Sequence, residues 1–126
     1  MLVDTNVFLE VLLAQKKEQA ARNFLQAQPK GSLYISEFSL NSIGLKLFAV
    51  KRKALWQSFC EDLRRNRVTR LYLQDADIAA FIAYSDQWNL DFDDAYQYTL
   101  AKKHGLELVS FDADFDRTDL KRIEPQ

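Results

Sequence analysis

Three aspartates stand where an ion could be held. Asp4 closes the apolar run Met1-Leu2-Val3, Asp112 lies just past Leu108-Val109, and Asp94 falls in the first turn of the helical segment between them. If Met1–Asp4 and Leu106–Val109 are parallel strands, all three carboxylates meet at the edge where the strands' carboxyl ends open to solvent, the usual ligand side of such sheets. Converging carboxylates repel, so each pKa rises unless a cation neutralises them. With a single histidine, His104, and a single cysteine, Cys60, there is no imidazole or thiolate cluster. An all-oxygen set suits Mg²⁺ or Mn²⁺, not structural zinc. A hard ion there could activate water and stabilise charge on a phosphate, the chemistry of phosphodiester hydrolysis. Each aspartate also has an ordinary reading. Asp4 could cap the helix starting near Asn6, Asp94 and Asp93 could answer a helix dipole, and Asp112 and Asp114 could shape a loop.

Neighbouring patterns are less productive. Asp112-x-Asp114-x-Asp116 looks like a calcium loop, but its sixth and twelfth positions hold Arg117 and Ile123 where glycine and a bidentate glutamate are needed. His104 is explained by its place at a helix end. Cys60, between Phe59 and Glu61, reads as inert packing without basic neighbours. Tyr98 shares a helical face with Asp94, and core packing is expected over base stacking. Lys46, Lys51, Arg52 and Arg70 are the bases that could meet a polyanion.

The elements that must position these residues follow from periodicity. Strands are predicted at Met1–Asp4, Leu33–Ile35, Val68–Leu73 and Leu106–Val109, with a short fifth at Arg122–Glu124. Helices are predicted from Val7, Phe8, Val11 and Leu12, from Ala20, Ala21, Phe24 and Leu25, and from Leu40, Ile43, Leu47 and Val50 after a Ser36 N-cap. Three more cover about Lys53–Asn66, a segment opened by Asp75 or Asp77 with Ile78, Phe81, Ile82 and Trp88 inward, and Phe92–His104 ahead of Gly105. Alternating strands and helices predict a three-layer α/β/α sandwich around a central parallel sheet of four to five strands, one domain over residues 1–126.

Composition narrows the class. The chain has 126 residues, 48% hydrophobic and 28% charged, with 17 basic against 18 acidic side chains, enough to bury a core without staples. No run approaches a membrane span, and no basic leader precedes the first apolar residues, so a cytoplasmic protein is expected. Charge is segregated: seven bases fall between Lys51 and Arg70, and six aspartates with no base between Leu71 and Asp94. A polyanion-binding metal enzyme would need that, and two solvated helices would show it too. The apolar excess of the first two helices (Phe8, Leu9, Leu12, Leu13, Phe24) is expected to serve a dimer seam, a partner helix or a thick core layer.

Val3-Asp4-Thr5-Asn6, Ser36 with Leu40-Asn41-Ser42-Ile43, Phe92-Asp93-Asp94-Ala95 with Ala101 and Gly105, and Leu108-Val109-Ser110-Phe111-Asp112-Ala113-Asp114-Phe115 follow one another in order. Together they resemble the PIN-domain family, in particular its small VapC-type toxin nucleases, over essentially the whole chain. The resemblance implies a Mg²⁺- or Mn²⁺-dependent endoribonuclease acting on single-stranded RNA, paired with a small antitoxin protein and forming a homodimer. It implies Asp4, Asp94 and Asp112 as catalytic, metal-binding acids, with Asp114, Thr5, Asn6, Ser42 and Asp93 auxiliary to them. One position departs from the family pattern: a glutamate is usual six residues past the serine matching Ser36, and Ser42 stands there. Glu37, about 140° away around a helix, does not replace it. The alternative is therefore a weakened PIN-like domain that binds RNA or protein without turnover. An aspartate phosphatase would need Asp-x-Asp where Asp4-Thr5-Asn6 stands, and no glycine-rich turn supports a dinucleotide site.

Overall fold

The computed structural model describes residues 1–126. Five short strands, β1 (Leu2–Val3), β2 (Tyr34–Ser36), β3 (Thr69–Leu71), β4 (Leu108–Val109) and β5 (Arg122–Ile123), form one parallel sheet in the order β3-β2-β1-β4-β5. Six helices cover it: α1 (Thr5–Leu12), α2 (Glu18–Ala27), α3 (Glu37–Ala49), α4 (Lys53–Arg65), α5 (Ile78–Trp88) and α6 (Phe92–His104). The three-layer expectation holds, with five strands.

Because β1 lies in the centre, both its faces must be apolar. Leu2 and Val3 are each fully buried and point into different cores. Val3, Ile35 and Val109 pack under α1 to α4 against Val7, Ile43, Leu47 and Phe59. Leu2 and Leu108 pack under α5 and α6 against Phe81, Leu100 and Phe115. The register Leu2↔Leu108 and Val3↔Val109 sets the carboxyl ends of β1 and β4 side by side, which brings Asp4 and Asp112 to one edge.

Local chemistry fixes the helices that approach this edge. The Asp4 side chain accepts from Thr5 N and starts α1, Ser36 accepts from Ser39 N and starts α3, and Asp91 accepts from Asp94 N and starts α6. Helix α6 ends at Gly105 in the left-handed conformation (φ 62°), beneath a last turn of Lys102, Lys103 and His104. Helices α3 and α4 come very close at Gly44, where an added Cβ would lie 3.0 Å from Trp56 Nε1. The Trp56 indole in turn donates to Leu40 O at 3.3 Å.

Some expectations are corrected. Helix α3 stops at Ala49, so Val50 is an exposed cap residue and not part of the inner stripe. On α5, Phe81 is buried but Ile78 and Ile82 are 46% and 52% exposed, because only one side of this outer helix has a partner layer. A 3₁₀ turn, Asp75–Asp77, precedes α5 and holds both candidate opening residues. The second strand is shifted by one residue to Tyr34–Ser36, and the third keeps only Thr69–Leu71 of Val68–Leu73.

Candidate active site

Asp4 is 7% exposed and both its oxygens accept hydrogen bonds. Oδ1 accepts from Thr5 N at 2.8 Å and Gln97 Nε2 at 3.0 Å, and Oδ2 accepts from Ser110 Oγ at 2.7 Å and Asn6 Nδ2 at 3.2 Å. Even so, burial outweighs these donors and holds the Asp4 carboxyl above the usual carboxylate range, with Asp112 adding a smaller like-charge push. Ser110 gives its one proton to Asp4, while its oxygen accepts from Asn6 Nδ2 at 3.2 Å and Asp112 N at 2.9 Å. Asn6 also accepts from Phe111 N at 3.2 Å, which fastens the loop after β4 to the start of α1.

Asp94, Asp112 and Asp114 bring one carboxylate oxygen each to within 4.8 Å of one another. Asp94 is 6% exposed, and no protein donor reaches its carboxylate, whose oxygens keep access to solvent. Burial first, and then the charges of Asp112, Asp91, Asp4 and Asp114, push its pKa up to about 8. Asp112 caps the following turn by accepting from Asp114 N at 2.8 Å. Arg117 lies 3.3 Å from Asp114, an exposed pair that relieves little of the repulsion. The donors are hard oxygens, crowded and under-neutralised, and they fit a divalent ion of the Mg²⁺ type.

The structure thus brings Asp4, Asp94 and Asp112 to one edge and sets Asp114 directly beside the last two. Thr5 donates through Oγ1 to Ser39 at 2.8 Å, so it supports Asp4 by its backbone and α3 by its hydroxyl. Asp93 is exposed, and burial with its neighbour Asp91 raises its pKa; it lies outside the oxygen trio. Ser42 is half-buried on α3 and makes no hydrogen bond.

Sequence reasoning missed Ser39, Gln97 and Ser110 as members of the site. All three are uncharged and essentially inaccessible. A polar residue interrupting the buried stripe Asp94, Ala95, Tyr98, Ala101 was the one available signal for Gln97. Tyr98 is core, 1% exposed, and donates to Asp119. His104 is exposed at the far end of α6. Lys46, Lys51, Arg52 and Arg70 are all exposed. The expectation that Cys60 has no basic neighbour is corrected: β3 brings Arg70 alongside α4, and Arg70 opposes the upward push that burial gives the Cys60 thiol.

A model of the PIN domain matches residues 1–121. No curated protein is similar enough in sequence to match. Several solved structures share the fold at low identity. The sarcin-ricin loop cleaving toxin VapC20 of Mycobacterium tuberculosis superposes with a TM-score of 0.81 at 16% identity, covering 98% of each chain. VapBC2 of Rickettsia felis, bound to a DNA fragment from its promoter, gives 0.76 at 18% identity over 99% of this chain and 98% of the other. A toxin–antitoxin complex from Klebsiella pneumoniae gives 0.74 at 21% identity over 90% and 88%. With the family match spanning nearly all of the sequence and an acidic cluster at the carboxyl edge of the sheet, the chain belongs to the PIN domain family, a family of nucleases.

Proposed function

We propose that this chain is a Mg²⁺- or Mn²⁺-dependent endoribonuclease that hydrolyses phosphodiester bonds of single-stranded RNA, and that it is the toxin half of a toxin–antitoxin pair. The observation that carries this is Asp94, a buried residue whose carboxylate has no protein donor and is crowded by Asp112 and Asp114. Asp4, Asp94 and Asp112 would hold the ion, with Asp114 auxiliary beside the last two. A divalent ion bound there supplies activation of water and stabilisation of charge on the phosphate. The chain's own residues keep the geometry: Asn6, Ser110 and the Thr5 amide fix Asp4, and the Ser110 hydroxyl fixes the backbone of Asp112.

Partners follow from the apolar surface. A groove of about 240 Å³ between α1, α2 and α4, lined by Phe8, Val11, Leu12, Leu25, Leu33 and Phe59, accepts a hydrophobic helix from an antitoxin. Phe8 itself is spent on the core, edge-on to Phe59 at 5.2 Å. The outward patch of Tyr72, Ile78, Ile82 and Phe92 is the face for a second copy of the chain. No helix is long and apolar enough to cross a membrane.

Ser42 favours a second reading, a domain that binds RNA or protein with weakened turnover, since α3 sends no carboxylate into the site. Cleavage of a labelled single-stranded RNA with Mg²⁺ or Mn²⁺, against EDTA, separates the two. Metal-dependent cleavage that disappears in Asp94→Asn establishes the nuclease. Equal behaviour of the two folded proteins on several RNAs selects the binding module.

A further inference from the structure

Gln97 sits one turn past Asp94 on α6, 1% exposed, and its neighbours around the helix, Leu100 and Ala101, are buried and apolar. Nothing in the packing of that face calls for an amide. Its Nε2 donates to Asp4 Oδ1 at 3.0 Å and to Ser39 Oγ at 2.6 Å. Its Oε1 is buried with no hydrogen-bond partner, the one such side-chain atom in the protein. A flipped amide would set Oε1 against the Asp4 carboxylate, so Asp4 dictates the orientation and the orphaned oxygen is its consequence. Such an arrangement costs stability that an apolar side chain would not. Polar groups kept in a core at that cost point to function.

The partners show what is gained. Ser39 Oγ also shares hydrogen bonds with the hydroxyls of Thr5 at 2.8 Å and Ser36 at 3.1 Å, donating in one of them, so the one amide joins α6, the first turn of α3 and the end of β1. Helix α3 therefore reaches the acidic edge through Ser39, while Ser42, one turn further on, makes no polar contact.

We propose that Gln97 is a positioning residue of the ion site: its amide, anchored on Ser39, locks the Asp4 carboxylate and couples α3 to the acidic edge where Ser42 brings no carboxylate. This rests on the reading that the acidic edge binds a divalent ion. A neutral amide orienting a carboxylate is a familiar outer-shell device, and removing one commonly weakens metal binding by about 10- to 100-fold.

The test is Mn²⁺ binding to the purified full chain, read from the electron paramagnetic resonance of free Mn²⁺, with the thermal midpoint in EDTA as the measure of fold. Gln97→Leu is expected to weaken Mn²⁺ binding roughly tenfold or more. Its midpoint in EDTA is expected to fall only modestly, because the orphaned oxygen leaves with the amide and partly offsets the donor lost to Asp4. Ser39→Ala weakens binding less, and its effect shrinks in the Gln97→Leu background because both act through one amide. A folded Gln97→Leu protein that binds Mn²⁺ within about twofold of the parent overturns the proposal. If Gln97→Leu does not fold, Ser39→Ala decides: weaker binding supports the proposal and unchanged binding overturns it. A parent chain that does not bind Mn²⁺ sinks the metal reading itself, and the role of Gln97 with it.

Discussion

As residues Asp4 and Asp94 are almost equally inaccessible, but the Asp4 carboxylate is enclosed and the Asp94 carboxylate opens toward the edge, and the protein treats them in opposite ways. Asp4 is surrounded by four donors contributed by Thr5, Asn6, Gln97 and Ser110. Asp94 receives none, and its nearest charged company is other carboxylates. A buried carboxylate must be hydrogen-bonded, protonated or paired with a cation. For Asp4 the chain supplies the first solution. For Asp94 it leaves the choice between a proton and a metal open, which is the condition of a group meant to exchange one for the other. The contrast separates two jobs that look identical in sequence: one aspartate organises the edge and the other keeps it reactive.

Substitutions that hit the two differently test this division. The largest effect is expected from Asp94→Asn, with RNA cleavage falling about a thousandfold if the ion contributes several kcal/mol to the transition state. Cleavage retained within a few-fold would break the assignment. Next, Mn²⁺ at about 100 times its Kd should stabilise the parent by about 2.7 kcal/mol in thermal or denaturant unfolding, and Asp94→Asn by far less. Third, Asp4→Asn is expected to destabilise the metal-free protein by about 1–3 kcal/mol, since an amide nitrogen must then face donors. Asp94→Asn in EDTA should instead match or exceed the parent's stability. Both substitutions moving stability in the same direction would erase the distinction.

pH offers a fourth test. Raised folded-state pKa values mean that the native protein keeps protons that the unfolded chain has released. Asp94, at about 8 against an ordinary 3.8, therefore makes metal-free stability fall as pH climbs from about 4 to about 8, and Asp4 adds to the same slope. Melting temperatures in EDTA at pH 5, 6.5 and 8 should decline, and the decline should be shallower for Asp94→Asn. The smallest effect is expected from Arg117→Ala, which removes an exposed pair with Asp114 worth less than about 1 kcal/mol. A larger loss would show that Arg117 is structural, tying down the turn that carries Asp114.

Much of this was legible in the sequence, for identifiable reasons. The limits of α6, Phe92 and His104, match the prediction because Asp91 and Gly105 terminate it chemically. The acidic edge was legible because aspartates after apolar runs in a parallel sheet have one place to go. Strand order was not, since β1 lies between β2 and β4 by contacts across the whole chain. The inward face of α5 was misjudged at Ile78 and Ile82 because an outer helix needs only a narrow stripe. Ser39 and Gln97 carry no charge and belong to no motif, Ser110 is an uncharged member of the last one, and their role exists only after three distant segments meet.

That meeting has a consequence for how the protein is made. Ser110 donates to Asp4 across 106 positions of chain, and β1 gains its β4 neighbour only when that late segment arrives. During synthesis the first strand must wait, one edge unpaired, while the long stretch between Asp4 and Ser110 is translated. A nascent chain halted before Leu108 lacks the strand that flanks Asp4 and also Asp112 and Asp114, two of the acids that crowd Asp94. The acidic edge therefore cannot assemble gradually along the ribosome; it waits for β4 and the acids just beyond it.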